Sequence, residues 1–342
     1  MRDYYTMKQF IQSLPKVELH VHIEGTLEPE LMLELAKRNK VDVPFSSISQ
    51  VKEAYNFHNL QSFLDIYYQG ANVLITEQDF FELTWAYLLR CQNDNVLHAE
   101  IFFDPQTHTE RGISFDTVVN GIHRALVKAT NELGISSQLI MCFLRHLDET
   151  AAFETLTQAL PHKDKIIGVG LDSSEVGNPA SKFTRVFEKA IEHGFLTVAH
   201  AGEEGAASSI VDTLNLLNVS RIDHGVSCSE DEKLITQLLT NQTPLTVCPL
   251  SNIKLKVFDD MAQHNVVTLL RQGLCVTINS DDPAYFGGYM TDNFLAVVNA
   301  HPMDKAELAQ FTFNAIEASF ISQNEKNRLA AIVHNFLALH QE

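Results

Sequence analysis

Hydrophobic positions along this chain fall into two alternating kinds of segment. Eight short, apolar, β-branched runs recur: Val17 to His22, Leu97 to Asp104, Gln138 to Arg145, Ile166 to Asp172, Leu196 to His200, Arg221 to His224, Leu245 to Pro249 and Cys275 to Asp281. Most end in polar or turn-forming residues, and near-continuous apolar character suits strands buried on both faces. Between them, Phe115 to Leu133, Lys182 to His193, Ala207 to Leu217 and Asp231 to Leu239 carry apolar residues at helical spacing. Strand–helix alternation on this scale predicts an α/β fold of the (β/α)8 TIM-barrel type. A doubly wound open sheet fits less well, because no Gly-rich phosphate loop follows the first run.

The alternation is interrupted once. About 75 residues separate the first run from the second, far more than one crossover needs. Leu27 to Asn39 and Leu60 to Arg90 read as helices there, with Tyr67, Tyr68, Trp85 and several phenylalanines. A helical insertion over residues 27–95 would sit above the C-terminal mouth of the barrel and act as a lid. Thr291 to Ala300, Lys305 to Ala318 and Asn324 to Leu339 read as closing helices. With no linker or repeat in view, residues 1–342 read as one domain.

Composition narrows the class. The 342 residues are 45% hydrophobic and only 20% charged, which supports a large core rather than disorder. A net charge of −18 argues against nucleic acid or an anionic membrane as partner. The five cysteines (Cys91, Cys142, Cys228, Cys248, Cys275) show no CxxC spacing and read as reduced packing residues. No signal-like segment opens the chain and no apolar run is long enough to span a bilayer, so a cytoplasmic protein is expected.

The ends of the apolar runs carry the chemistry. His20 and His22 are two residues apart on a strand and so share one face. Histidines at this spacing are common in cores, and alone the pair says little. In a parallel barrel, however, strand C-termini converge on one mouth. There His20 and His22 would meet His200, Glu203, His224, Asp281 and Asp282. Three imidazoles and a carboxylate suit zinc, with an open position for a water that the metal makes acidic. Glu203, just past His200, is placed to donate a proton, or else caps the next helix. His224 would orient or deprotonate the water. Asp281 and Asp282 cannot both face inward from a regular strand, but a turn before Pro283 would let both do so. His98-Ala99-Glu100 has the HxE form of cytidine-type zinc deaminases, but no PCxxC follows, so Glu100 reads as a barrel-lining residue. The fourth run ends without a lysine to bridge a second metal, favouring a single-metal site.

With these residues in view, the chain resembles the adenosine/adenine deaminase family of the amidohydrolase superfamily. The resemblance runs from Pro15-Lys16-Val17-Glu18-Leu19-His20-Val21-His22 through Thr197-Val198-Ala199-His200-Ala201-Gly202-Glu203, Arg221-Ile222-Asp223-His224-Gly225 and Cys248-Pro249-Leu250-Ser251-Asn252 to Ser280-Asp281-Asp282-Pro283. It implies one zinc ion per chain on His20, His22, His200 and Asp281. It further implies that Glu203 protonates purine N1, His224 assists attack of water at C6, and Asp282 hydrogen-bonds N7. The partners implied are a small purine base and water, and oligomeric state is left open.

Two departures from typical adenosine deaminases suggest the subgroup. Their HxHxDG acid corresponds to Glu24 here, and their DLAGDE-like turn is replaced by Asp172-Ser173-Ser174-Glu175-Val176-Gly177. Both look like the adenine deaminase branch, as does Phe102-Phe103-Asp104-Pro105-Gln106-Thr107-His108. Glu24, Ser173 and Glu175 are therefore expected at the substrate, filling space that a ribose would take. Excluding a whole sugar is sterically easy, whereas discriminating one methyl group is worth only about 1–3 kcal/mol. Adenosine and N6-substituted adenines are the rival substrates. A silent metal-binding barrel is the non-enzymatic rival, disfavoured by Glu203 and His224, which binding alone would not require.

Overall fold

The computed structural model describes residues 2–340. Its eight parallel strands are β1 (Lys16–His22), β2 (Val96–Phe103), β3 (Ser136–Leu144), β4 (Ile166–Asp172), β5 (Leu196–Ala201), β6 (Arg221–His224), β7 (Leu245–Val247) and β8 (Val276–Ile278). They pair in chain order, with helices between them, as in a TIM barrel. β7 and β8 have three residues each, shorter than their apolar runs, because the chain turns away where the site begins.

The barrel closes between β8 and β1 with little regular ladder. Asp281 N–H donates to the His20 carbonyl (3.0 Å), and His22 N–H donates to the Asp281 carbonyl (2.9 Å). Asn279 supplies the rest from its side chain. Its Oδ1 accepts from Leu19 N–H at 2.9 Å, and its Nδ2 donates to the Val247 carbonyl at 3.2 Å. An amide side chain thus stands in for backbone pairing that the short strand cannot offer.

Inside the barrel, Phe102, Ile140, Cys142 and Val198 form a fully buried apolar layer. Phe102 meets His20 and His22 with ring centroids 5.0 and 5.1 Å apart, so this layer is the floor beneath the histidines. Glu100 also lies inside, paired with Arg221 and 3.3 Å from His98 Nε2. Burial opposes its charge, but Arg221 holds its pKa down to about 2. It is a barrel-lining residue, as its position within β2 suggests. All five cysteines are buried and free.

The segment after β1 is helical, but it is not one long helix beyond Leu60. Helices Pro29–Asn39, Ile48–Ala54, Leu60–Ala71 and Glu77–Asn93 follow in turn. The break at Asn72–Thr76 has a local cause: Thr76 accepts from Asp79 N–H (3.3 Å) while Asp79 accepts from Thr76 N–H (2.7 Å), a capping box that starts a new helix. The helix Leu60–Ala71 turns Leu60, Phe63, Leu64, Tyr67 and Tyr68 toward the barrel mouth. Helices Met290–Ala300, Lys305–Ala318 and Gln323–Leu339 end the chain. No helix among the described residues is long and apolar enough to cross a membrane.

Candidate active site

Alternation along a strand would send only every second residue into the barrel. Three strand ends escape this limit. Ser173, His224 and Asp281 have φ of 73°, 63° and 64°, in the left-handed region that residues other than glycine rarely occupy. Each adjoins a second inward residue, giving the pairs Asp172–Ser173, Asp223–His224 and Asp281–Asp282. Asp223 pairs with His200 across the β5–β6 ladder and shares its inward face. The left-handed turn at His224 then brings the next side chain in as well. Such backbone costs about 1–3 kcal/mol per residue and persists where the surroundings over-determine it. Gly25 serves the same crowding differently, since a Cβ there would overlap the Asp282 carboxylate.

His20, His200, His224 and Asp281 bring donor atoms within 4.8 Å of one another, and His22, Asp281 and Asp282 do the same. His22 Nε2 and His200 Nε2 are 3.2 Å apart. His20 Nε2 and His22 Nε2 are 3.1 and 3.4 Å from Asp281 Oδ1. The inward nitrogen of His20 is buried without a hydrogen-bond partner. Converging lone pairs and an orphaned buried nitrogen are what a divalent cation would satisfy. The outward nitrogens face acceptors. His20 Nδ1 is 3.2 Å from the Thr246 carbonyl, His22 Nδ1 is 3.4 Å from Asp172 Oδ2, and His200 Nδ1 is 3.6 Å from Asp223 Oδ2. Imidazoles that ligate metals are oriented in this way from behind.

The electrostatics separate the carboxyls. Burial opposes ionisation of Asp281, but the His20 imidazole against it holds its pKa well below the ordinary range. Burial and the neighbouring Asp281 push Glu203 and Asp282 well above it. Burial and the surrounding imidazoles keep His200 neutral, and burial brings His224 down to about 3. Glu203 Oε2 lies 3.5 Å from His224 Nε2. Against burial, the carboxyls of Asp282 and Asp172 push His22 the other way, well above the ordinary imidazole range.

A cleft of ≈ 390 Å³, counting its open side, lies over this cluster. His22, His200, Glu203, His224, Asp281, Asp282 and Ser173 reach it, as expected from the sequence. Ser173 Oγ lies 3.1 Å from the Tyr68 hydroxyl and 2.8 Å from His146 Nδ1. Glu24 and Glu175 do not line the cleft, and here the structure corrects the expectation. Glu24 Oε1 lies 2.8 Å from His108 Nε2 and accepts from the Asp104 N–H (3.2 Å), so it supports Asp104 from behind. Glu175 accepts from the N–H groups of Gly202 (2.8 Å), Glu203 (3.1 Å), Glu204 (3.1 Å) and Gly205 (3.0 Å), and from Ser209 Oγ (2.6 Å). It clamps the loop that carries Glu203, where Gly202 turns with φ 69°. Asp104 and Asp172 do line the cleft and escaped the sequence reading. Both end inward-facing strand runs, the signal that singled out His200.

The fold and the site define a barrel hydrolase whose chemistry sits at the C-terminal ends of its strands. A family model described as Adenosine deaminase matches residues 15–336, and the chain belongs to that family. Within it, the chain is 66% identical to an adenine deaminase of Vibrio parahaemolyticus, over 98% of this chain and 99% of that one. An adenine deaminase of Acinetobacter baylyi is 62% identical over 93% and 96% of the two chains. The crystal structure of an adenine deaminase from Arthrobacter aurescens superposes with a TM-score of 0.94 at 48% identity, covering 95% of this chain and 99% of that one.

Proposed function

We propose that this protein is an adenine deaminase that hydrolyses adenine to hypoxanthine and ammonia with the help of one zinc ion. The observation that carries the chemistry is the placement of Glu203, a buried carboxyl 3.5 Å from His224 and beside the His–Asp cluster, where burial and Asp281 push its pKa up. The strong similarity to relatives named adenine deaminase supports the substrate. His20, His22, His200 and Asp281 would hold the zinc, which when bound supplies an activated water. His224 is set apart from the other three histidines by its contact with Glu203.

The chain's own residues account for the proton inventory. Glu203 gives its proton to N1, which makes C6 electrophilic. The water oxygen bonds to C6, the C6–N6 bond breaks, and the oxygen becomes O6 of hypoxanthine. Of the two water hydrogens, one returns to Glu203 in place of the proton now on N1. The other leaves with the amine as ammonia. Asp282, whose pKa burial and Asp281 push up, is suited to donate a hydrogen bond to N7. Leu60, Phe63, Leu64 and Tyr67 wall the cleft with apolar surface that excludes bulk water. Movement of their helix as a lid would admit the substrate.

The test compares zinc-loaded protein on adenine, adenosine and N6-methyladenine by ammonia release. Turnover of adenine with adenosine at least about 100-fold poorer in kcat/KM is expected, because Ser173 and the Leu60–Ala71 helix crowd the cleft against a sugar. Efficient turnover of adenosine without adenine would overturn the substrate assignment. Adenine turnover that survives complete removal of metal would overturn the role of zinc.

A further inference from the structure

His224 is backed by two side chains that the chemistry above does not use, and what they do rests on the function just proposed. Val266 N–H points at His264 Nδ1 from 3.1 Å. A backbone amide can only donate, so Nδ1 accepts and neutral His264 carries its proton on Nε2. His264 is buried, and desolvation brings its pKa down to about 3, so it remains neutral. Its Nε2–H therefore donates to the Asn252 atom 3.0 Å away, which must be the carbonyl oxygen Oδ1. That fixes the orientation of the amide. Asn252 Nδ2 then faces His224 Nδ1 at 3.4 Å. An amide nitrogen only donates, so Nδ1 of His224 accepts and its own proton sits on Nε2. This is the nitrogen that lies 3.5 Å from Glu203 and 3.8 Å from Asp281 Oδ2.

We propose that Asn252 and His264 are positioning residues that hold His224 as a hydrogen-bond donor at the reacting centre. Through Nε2–H, His224 stabilises negative charge developing on the attacking oxygen and does not serve as the base that takes its proton. The relay also sorts the four histidines of one crowded site. His20 and His22 have acceptors within 3.4 Å behind their rings and His200 faces the Asp223 carboxylate from 3.6 Å, an arrangement that leaves the inward lone pairs for a cation. His224 has a donor behind it, which occupies the outward lone pair and turns the proton inward.

The experiment records long-range 1H–15N NMR spectra of the zinc-loaded enzyme, with His224 assigned by its loss in His224→Gln. Wild type is expected to show the Nε2–H tautomer at His224. Asn252→Asp presents an acceptor to both rings and should move the His224 proton to Nδ1. With zinc content unchanged, it should lower kcat for adenine about 100-fold and leave KM near wild type. His264→Gln keeps an N–H toward Asn252 and should rescue most of the loss seen in His264→Leu. An Nδ1–H tautomer in wild type overturns the relay, and that measurement needs no variant to fold. So does a kcat for Asn252→Asp equal to wild type. A wild type that carries the Nε2–H tautomer yet deaminates no purine would uphold the relay and refute the function.

Discussion

Replacing Glu175 by Gln should damage catalysis without touching the substrate. The carboxylate collects four backbone N–H groups and one hydroxyl, all from residues 202–209. Gln offers one oxygen, so its NH2 must face donors whichever way it turns. In the better orientation it meets Gly202 N–H and Ser209 Oγ. The hydroxyl can rotate to accept, and the Gly202 N–H keeps only its longer bond to Ser209 Oγ (3.2 Å), a loss of about 1 kcal/mol. The three remaining bonds lose their charge assistance, about 1 kcal/mol each. The sum is about 4 kcal/mol before water and loop relaxation reduce it. That penalty falls on the loop that aims Glu203, and a misplacement of about 1 Å there costs on the order of 100-fold in rate. Steady-state kinetics on adenine, run beside a thermal melt, should show kcat down about 10- to 100-fold, KM little changed and a lower melting midpoint. A large rise in KM with kcat and melting intact would mean that Glu175 touches the base after all. Wild-type kinetics and stability together would refute the clamp.

Two further perturbations probe the acid and the metal pocket. Glu203→Gln should lower kcat about 100- to 10,000-fold. In the wild type, kcat should fall as pH rises through the elevated Glu203 pKa, and the stability that this raised pKa contributes, complete below the usual carboxylate range, is lost in the same direction. A pH–rate profile flat through alkaline pH would contradict the acid role. Asp223→Asn leaves one oxygen for two partners, His200 Nδ1 at 3.6 Å and Thr246 Oγ1, which donates to Oδ1 at 2.8 Å; with the oxygen kept on Thr246, an NH2 faces His200. Zinc affinity, measured by competition with a chelator, should weaken about 10- to 100-fold. Unchanged affinity would show that this carboxylate does not orient a ligand.

Most of the barrel is legible in the sequence because each strand is buried on both faces and reads as an unbroken apolar run. β4 and β6 agree with their runs residue for residue, and the helices Ala207–Leu217 and Lys305–Ala318 do so as well. Where runs mislead, the cause is local. In Leu245 to Pro249 and Cys275 to Asp281 the pairing stops after three residues, because the terminal residues leave the ladder to build the site. The insertion looked continuous from Leu60 because the Thr76–Asp79 box interrupts it without proline. Strand-end counting found the histidines, Glu203 and Asp281–Asp282. It passed over Asp104 and Asp172, since a carboxylate closing a strand also reads as a simple turn former. Glu24 and Glu175 were misplaced for a different reason. An acid in a loop near a site bears the same letter whether it meets the ligand or gathers backbone amides, and only the fold tells the two apart.

The closure at β8–β1 makes the last strand a gatekeeper of assembly. The Asp281 N–H donates to the His20 carbonyl and the Asp281 carbonyl accepts from the His22 N–H, so completing the cylinder and bringing the carboxylate to the imidazoles are one event. Until Asn279 has bridged Leu19 and Val247, a chain with its other strands in place would still lack a competent metal cradle. Zinc uptake during refolding should therefore trail the bulk of secondary-structure formation and coincide with protection of the Leu19, His22 and Asp281 amides from exchange. In this barrel the cation would act as the clasp, fastened only when the two ends of the sheet have met.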